Sequence, residues 1–303
     1  MQVIVLGAGA IGSLYGAKLA SANEVILIGR PEHVTAINSH GLRVEGLEPQ
    51  VAPIRAATEI DQIGRDALIL LTTKVTGSAA ALAPIAPLLR EDTTILCLQN
   101  GLGSERIARN AIDDRAVVLR GITQFGAIFE RPGVIQYMAG GYTLVEQHPR
   151  SDRVAAILTA AGLDCRISPN MTADVWHKLI FNCVVNPITA ILGCEVGGIA
   201  NRQLDPLKRL VIDECLAVAA TQGLTFDVDL MREITEVFGA SPNLVSMLQD
   251  LRRGHQTEID YMNGAVAALG AHHEVPCPVN RALTEIIKAM EASSLLPEKM
   301  LQA

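Results

Sequence analysis

The sequence predicts an α/β protein in two parts: a doubly wound parallel sheet with an antiparallel extension, followed by an all-α C-terminal domain. Three observations support this prediction. A glycine-rich turn follows an apolar run near the N-terminus, further apolar runs alternate with helical stretches, and the strand pattern ends near Met171. The 303 residues are enough for two hydrophobic cores, and we expect one domain at 1–168 and a second at 169–303.

The first element is a strand, Val3–Leu6, which leads directly into Gly7-Ala8-Gly9-Ala10-Ile11-Gly12 and then into a helical stretch. This order is typical of a Rossmann-type dinucleotide cradle. Gly7 permits the tight turn, Gly9 lets the backbone approach a pyrophosphate, and Gly12 allows the helix to pack closely on the strand. The helix N-terminus adds N–H groups for the phosphates. We therefore expect this whole segment to bind the cofactor.

The second strand, Glu24–Ile28, is followed by Gly29 and Arg30. An NAD site usually carries an acidic residue here for the ribose 2′-hydroxyl, whereas an arginine pairs with a 2′-phosphate. We therefore expect NADP(H), with His33 as a candidate second contact. Two alternatives stay open: Arg30 is a solvated loop charge, or Glu32 reaches the ribose.

Two continuous apolar runs, Ala67–Leu71 and Thr94–Leu98, are typical of parallel strands covered on both faces. Lys74 follows the first run and Asn100 follows the second. Because ligands bind outside the carboxyl ends of parallel strands, both residues should share a rim with the glycine-rich turn. The alternative is that Lys74 is a loop lysine and that Asn100 starts an Asn-Gly turn.

Shorter strand patterns complete the first domain. Hairpin signals at Arg131-Pro132-Gly133 and Ala139-Gly140-Gly141 predict the antiparallel extension. Residues 41–45 alternate like the arm of an edge hairpin. The remaining predicted elements are strands at 51–57, 117–119, 121–129, 134–138, 142–145 and 164–167 and a helix at 152–161.

One helix of the second domain, predicted around Val175–Pro187, carries polar residues at i, i+4 and i+8: Lys178, Asn182 and Asn186. They form one stripe on a helix that is otherwise apolar nearly all round and therefore buried. Burial disfavours the charged form of a lysine, which suits Lys178 to proton donation near neutral pH. The alternative is a buried lysine and two asparagines that satisfy loop carbonyls.

Two more polar residues are candidates in the predicted helices that begin at Ser241 and Thr257. Ser246 and Glu258 are either site residues or ordinary polar-face residues. Glu258, expected in a first helical turn, also has a structural role available at the positive end of the helix dipole.

Composition excludes several other classes of protein. The net charge is −7 without a run of Lys or Arg, so we expect no nucleic-acid partner. No stretch predicts a signal peptide or a membrane span. Adjacent His272 and His273 do not share a helix face, and we expect no bound metal. Cysteines without C-x-x-C spacing indicate reduced, mostly buried thiols in a cytoplasmic protein: Cys97, Cys165, Cys183, Cys194, Cys215 and Cys277.

Together these residues resemble the ketopantoate reductase family (2-dehydropantoate 2-reductases) over essentially the whole chain. The glycine motif is generic, whereas the three C-terminal blocks in this order are specific. The matching residues are Gly7-x-Gly9-x-x-Gly12, Arg30, Thr72-Thr73-Lys74, Gln99-Asn100-Gly101, Lys178-Leu-x-x-Asn182-x-x-x-Asn186-Pro187, Ser246-Met-Leu-Gln-Asp250 and Thr257-Glu258-Ile-Asp260-Tyr-x-Asn263-Gly264.

The resemblance implies NADPH-dependent reduction of ketopantoate to pantoate, a step toward pantothenate and coenzyme A. It implies two catalytic residues: Lys178, which protonates the developing alkoxide, and Glu258, which contacts the cofactor or a substrate hydroxyl. The implied substrate-binding residues are Asn100, Asn182, Asn186 and Ser246. The implied cofactor-binding residues are Gly7, Ala8, Gly9, Ala10, Ile11, Gly12, Arg30, Lys74, Asn100, Ala127 and Glu258.

The chain departs from the family pattern at one place. Some members carry a further asparagine a short distance after Asn186, where this chain has Glu195 and Val196. A reductase of another 2-keto or hydroxy acid therefore remains an alternative, as does a non-catalytic protein that senses NADPH. A small 2-keto acid is the expected partner, and a homodimer is one assembly compatible with the sequence.

Overall fold

The computed structural model describes residues 1–294, so the end of the predicted C-terminal domain, 295–303, lies outside the described residues. Two compact units divide the chain after Met171. That the first unit holds the cofactor and the second the substrate remains a prediction.

The N-terminal unit is built on a large sheet whose strand order is β12-β11-β8-β7-β6-β1-β2-β5. Its central strands, from β5 to β8, all run parallel. Beyond β8, β11 runs antiparallel to β8, and β12 pairs with β11 at the edge of the sheet. The strands are β1 (Gln2–Leu6), β2 (Glu24–Ile28), β5 (Arg55–Ala57), β6 (Leu68–Leu71), β7 (Thr94–Cys97), β8 (Val117–Thr123), β11 (Thr143–Glu146) and β12 (Cys165–Ser168).

The order of this sheet sets where a ligand belongs. From β1 the chain builds outward through β2 and β5 on one side, and then through β6, β7 and β8 on the other. The order therefore reverses between β1 and β6, and open α/β sheets bind ligands at such a switch point. The predicted doubly wound sheet is confirmed, and so is an antiparallel extension of it, which β11 provides.

The continuous apolar runs arise because both faces of the sheet are covered. In β1, Val3 and Val5 belong to one hydrophobic core, whereas Ile4 and Leu6 belong to the other. Helices cover these faces, namely α1 (Ala10–Leu19), α2 (Pro31–His40), α3 (Ser78–Leu82), α4 (Ser104–Ile112) and α5 (Ser151–Ala160), with 3₁₀ turns at Val75–Gly77 and Ala86–Leu88.

A second, smaller sheet was not predicted. Its order is β4-β3-β10-β9, from β3 (Leu42–Gly46), β4 (Gln50–Ala52), β9 (Gly126–Arg131) and β10 (Val134–Ala139). The hairpin β9–β10 therefore does not extend the main sheet, because β10 pairs in parallel with β3. The strand predicted at 51–57 is also wrong. Pro53, which cannot donate a ladder hydrogen bond, separates β4 in one sheet from β5 in the other.

The described residues of the C-terminal unit form helices joined by loops and contain no strand, as predicted. Its helices are α6 (Met171–Leu192), α7 (Asp205–Ala220), α8 (Leu230–Phe238), α9 (Ser246–Arg252), α10 (Asn263–His272) and α11 (Pro278–Ser294), with 3₁₀ turns at Val196–Ala200, Arg202–Leu204 and Ile259–Tyr261. Two predicted starts are wrong. Helix α9 begins at Ser246 because the backbone oxygens of Ser241 and Asn243 instead accept hydrogen bonds from the Val196–Ala200 turn. Helix α10 begins at Asn263, after the third of the 3₁₀ turns.

Helix α6 is long and apolar enough, by length and composition, to cross a membrane. No such helix was expected from the sequence. In its most apolar stretch, 67% of the residues are buried inside the protein. A mostly buried core helix passes the same test of length and composition.

Candidate active site

The glycine-rich turn has the backbone shape that the sequence predicted. Gly7 follows β1 with φ +116°, a conformation that residues with a Cβ rarely adopt. The N–H groups of Gly7 and Ala8 both donate to the carbonyl oxygen of Ile28, at 3.1 and 2.8 Å. The turn is thereby fastened to the end of β2, directly before Gly29 and Arg30.

Gly9 and Gly12 serve different spatial needs. A Cβ on Gly12 would lie 2.6 Å from Thr72 Oγ1 and closer still to the carbonyl oxygen of Gly7, so helix α1 can pack here only with glycine. A Cβ on Gly9 would meet nothing within 4 Å. Gly9 is exposed at the N-cap position of α1, and no side chain caps the first N–H groups of this helix. Open space before uncapped N–H groups fits an anionic pyrophosphate.

Lys74 and Asn100 follow β6 and β7, which run parallel to β1, so both lie at the same edge of the sheet as the glycine-rich turn. Thr72 Oγ1 donates to the Gly7 carbonyl oxygen at 2.8 Å and joins the β6 end to the turn. Lys74 and Asn100 are both half-buried. The shared rim expected from topology is present within the N-terminal unit.

Gln99, for which the sequence predicts no role, connects two of these strand ends. Its side chain is buried, and its Nε2 donates to the Thr73 carbonyl oxygen at 2.8 Å and to Ser78 Oγ at 2.6 Å. The residue before Asn100 is therefore tied to the residue before Lys74. The signal in the sequence is the position of Gln99 directly before Asn100 in the Gln-Asn-Gly motif.

Arg120, in β8, was also missed. Its guanidinium is buried, donates to the carbonyl oxygen of Gly101 at 3.0 Å and to Ser104 Oγ, and lies 3.9 Å from a carboxylate oxygen of Glu105. It holds the segment directly after Asn100. A charged residue inside an otherwise apolar strand was a usable signal, because buried arginines are rare unless paired.

Arg30 is exposed and stands immediately before α2. The segment lies beside the glycine-rich turn, since a Cβ on Gly29 would be 2.9 Å from the Cβ of Ala8. Glu32, the alternative ribose contact, is exposed in the first turn of α2. Both side chains thus remain accessible to solvent beside the turn.

His33 does not fit the predicted role of a second cofactor contact. The ring is buried, its Nδ1 accepts a hydrogen bond from the Gly133 N–H at 2.9 Å, and its Nε2 lies 3.1 Å from Ser13 Oγ. Burial lowers the pKa of the imidazole. With both ring nitrogens engaged, His33 instead connects α2 to α1 and to the β9–β10 turn.

Ala127, implied as a cofactor contact by the resemblance, lies in the smaller sheet opposite Tyr137 of β10. It is half-buried and packs against the core that contains α1. This position lies outside the shared rim of the large sheet.

In the C-terminal unit, α6 presents the predicted polar stripe. Lys178 and Asn182 are half-buried, and Asn186 is 8% exposed. The expected burial therefore holds for Asn186 but not for Lys178 or Asn182. The amide Nδ2 of Asn186 is 3.5 Å from the sulfur of Met262, a weak acceptor.

The other two candidates of this unit lie at the starts of helical elements. Ser246 is exposed at the first position of α9. Glu258 is half-buried and precedes the three-residue 3₁₀ turn Ile259–Tyr261. The expected place in a first α-helical turn is therefore wrong, and with it the structural role at a helix dipole. Within residues 1–294, no cluster of three or more His, Cys, Asp or Glu side chains is arranged to bind a metal.

Comparisons with known proteins cover both units. The family model described as "Ketopantoate reductase PanE/ApbA" matches residues 3–150, and "Ketopantoate reductase PanE/ApbA C terminal" matches 170–291. A 2-dehydropantoate 2-reductase of Pyrococcus horikoshii is 36% identical over 96% of this chain and 98% of its own length.

Solved structures show the same similarity. A PanE/ApbA family ketopantoate reductase from Ralstonia eutropha JMP134 is 32% identical, with a TM-score of 0.89 over 98% of this chain and 100% of its own. A D-mandelate dehydrogenase, solved with NADH and anilino(oxo)acetate, is 30% identical, with a TM-score of 0.88 over the same shares of the two chains.

Proposed function

This chain belongs to the ketopantoate reductase family, and on that premise we propose that it is an NADPH-dependent oxidoreductase that converts 2-dehydropantoate to pantoate. The observation that carries the proposal is the sequence identity of 36% and 35%, over 96% of this chain, to two relatives named 2-dehydropantoate 2-reductase. The product would enter pantothenate and coenzyme A biosynthesis. We propose the cytoplasm as its location, and the six free cysteines support this proposal.

The N-terminal unit offers what a dinucleotide requires. The segment Gly7–Gly12 would hold the pyrophosphate, supported by the open space at Gly9 and the uncapped start of α1. Arg30, exposed beside this turn, would bind the 2′-phosphate and select NADPH over NADH. Lys74 would lie beside the nicotinamide ribose. Asn100 would contact both the cofactor and the substrate.

The bound cofactor would supply the hydride for the 2-keto carbon. The task left to Lys178 is to donate a proton to the oxygen of the developing alkoxide. The half-buried position of this lysine supports the role, because a proton donor must both reach the substrate and be resupplied from solvent. Glu258 would hold a substrate hydroxyl or a cofactor hydroxyl.

The remaining polar groups would position the substrate. Asn182 and Asn186, spaced by one helical turn on α6, together with Ser246 at the start of α9, would hold the carboxylate and hydroxyl groups. Such orientation presents the carbonyl in a near-attack geometry. Ala127, in the smaller sheet, would pack against the cofactor from the side.

A second candidate is reduction of another 2-keto acid. The observation that favours it is the D-mandelate dehydrogenase, which is as similar to this chain as several of the reductases. The departure at Glu195 and Val196, where the former is exposed and the latter buried, also supports a pocket of different composition.

The test is the loss of NADPH absorbance with purified protein and ketopantoate, run beside 2-oxo-2-phenylacetate and other 2-keto acids. We expect the highest kcat/KM for ketopantoate with NADPH. A higher value for another keto acid would support the second candidate. Tight NADPH binding without turnover of any keto acid would contradict both and indicate a sensor.

A further inference from the structure

Helix α6 contains a backbone carbonyl whose usual donor within the helix is missing. In an α-helix the oxygen of Cys183 would accept the N–H of residue 187, but that residue is Pro187, which has none. Asn263, at the start of α10, supplies the missing donor. Its side-chain Nδ2 lies 2.9 Å from the Cys183 oxygen, and the residue is completely buried.

The Asn263 amide is itself held in a fixed orientation. Glu214 accepts the backbone N–H groups of Val279 and Asn280 at 2.8 and 2.9 Å and the Asn280 Nδ2 at 2.7 Å. A carboxylate only accepts, so the amide nitrogen of Asn280 must face Glu214 and its oxygen must face Asn263. Asn263 Nδ2 then donates to that oxygen at 2.9 Å as well as to Cys183.

The turn that this bond completes lies between the two asparagines proposed to hold the substrate. Asn182 immediately precedes Cys183, and Asn186 immediately precedes Pro187. A proline disturbs the preceding turn by crowding the same carbonyl. The direction of Asn182 relative to Asn186 therefore depends on how the Cys183 carbonyl is held.

A second contact links the same two segments. Met262, the neighbour of Asn263, places its sulfur 3.5 Å from Asn186 Nδ2. Met262 and Asn263, which are consecutive in the chain, thus contact Asn186 and Cys183 in the same turn of α6.

We propose that Asn263 is a positioning residue for substrate binding: its amide replaces the backbone hydrogen bond that Pro187 removes, and so sets Asn182 and Asn186 at the spacing that the keto acid requires. This inference rests on the proposed function, because it takes both asparagines as substrate ligands. Asn280 and Glu214 support it by orienting the amide.

The test uses Asn263→Ala, Pro187→Ala and the double variant. In Asn263→Ala the Cys183 oxygen loses its donor, and we expect KM for ketopantoate to rise by about tenfold or more, with KM for NADPH within twofold. In the double variant the N–H of the alanine at 187 can donate to Cys183, so KM for ketopantoate should return toward the value of Pro187→Ala. The lost bond to Asn280 is common to both Asn263 variants and cancels in the comparison.

Hydrogen exchange of the α6 backbone is the readout that does not depend on activity. Exchange around residues 183–187 should be faster in Asn263→Ala and slower again in the double variant. If Asn263→Ala does not fold, a folded double variant with near-parental KM for ketopantoate still supports the proposal.

Three results would overturn it: an unchanged KM for ketopantoate in Asn263→Ala, an equal rise in the double variant, or a parallel rise in KM for NADPH. The proposed function fails separately, if the parent protein turns over no 2-keto acid while the exchange pattern of the variants follows the expectation.

Discussion

The contrast between Gly9 and Gly12 makes a sharp prediction about the glycine-rich turn. Gly9→Ala should leave the fold intact and weaken the binding of NADPH, whereas Gly12→Ala should destabilise the N-terminal unit. The reason is spatial: the added methyl meets nothing within 4 Å at position 9, but meets Thr72 Oγ1 at 2.6 Å and the Gly7 carbonyl at position 12.

The expected loss of stability arises from these contacts. The atom in the way at Gly12 is backbone, so overpacking should cost about 3 kcal/mol, the upper part of its usual range. The gain in helix propensity returns about 1 kcal/mol, because Gly12 lies inside α1. The net loss of about 2 kcal/mol corresponds to a Tm lower by about 4 to 8 °C in a domain of this size.

At Gly9 the backbone has φ −81° and ψ −163°, which alanine adopts without strain. We expect a change in unfolding free energy of about 1 kcal/mol or less. The methyl would occupy the space proposed for the pyrophosphate and remove at least one charge-assisted hydrogen bond, about 1.5 to 3 kcal/mol. The NADPH Kd should therefore rise about 10- to 150-fold.

The assays are thermal unfolding without ligand and NADPH titration followed by fluorescence or calorimetry. Gly77→Ala is the matched control, since a Cβ there also meets nothing within 4 Å and its φ is −94°. It should change neither quantity. A Gly9→Ala protein that binds NADPH within threefold of the parent, or a Gly12→Ala protein as stable as the parent, would refute the reasoning.

Three further predictions concern single side chains. Lys178→Ala should lower kcat by about 10²- to 10⁴-fold while NADPH Kd is largely kept; turnover within tenfold of the parent would exclude Lys178 as the acid and make Lys74 the next candidate. Arg30→Ala should weaken NADPH binding by about 1 to 3 kcal/mol with little effect on NADH binding. Equal losses of binding free energy for both cofactors would show that Arg30 does not bind the 2′-phosphate. Burial lowers the pKa of His33, so the unfolded state takes up its proton first and stability should fall as pH drops below about 6.5. His33→Gln should flatten this dependence in pH-dependent unfolding; an unchanged slope would mean that other groups cause it.

The central sheet was predictable because local pattern and burial agree there. The run before Gly7 is apolar at every position since β1 is covered on both faces, and the glycine spacing determines the turn and the start of α1. The stripe of Lys178, Asn182 and Asn186 was predictable for a similar reason, because helical periodicity alone places the three on one face.

The features that the sequence did not reveal depend on partners distant along the chain. No local pattern states that β10 pairs with β3, or that the ring of His33 is engaged 100 residues away by Gly133. The donor from Asn263 to Cys183 spans 80 residues. Proline at 187 showed that a donor was missing, but only the folded unit shows which side chain supplies it.

The parallel pairing of β3 with β10 has a consequence for synthesis of the chain. A ribosome delivers β3 and β4 long before β10, and until then β3 presents one unpaired edge. Such an edge can recruit a strand from a neighbouring nascent chain. Premature release of a chain that ends before Val134 should therefore give aggregates, even though the glycine-rich turn and the strands around it have already been made.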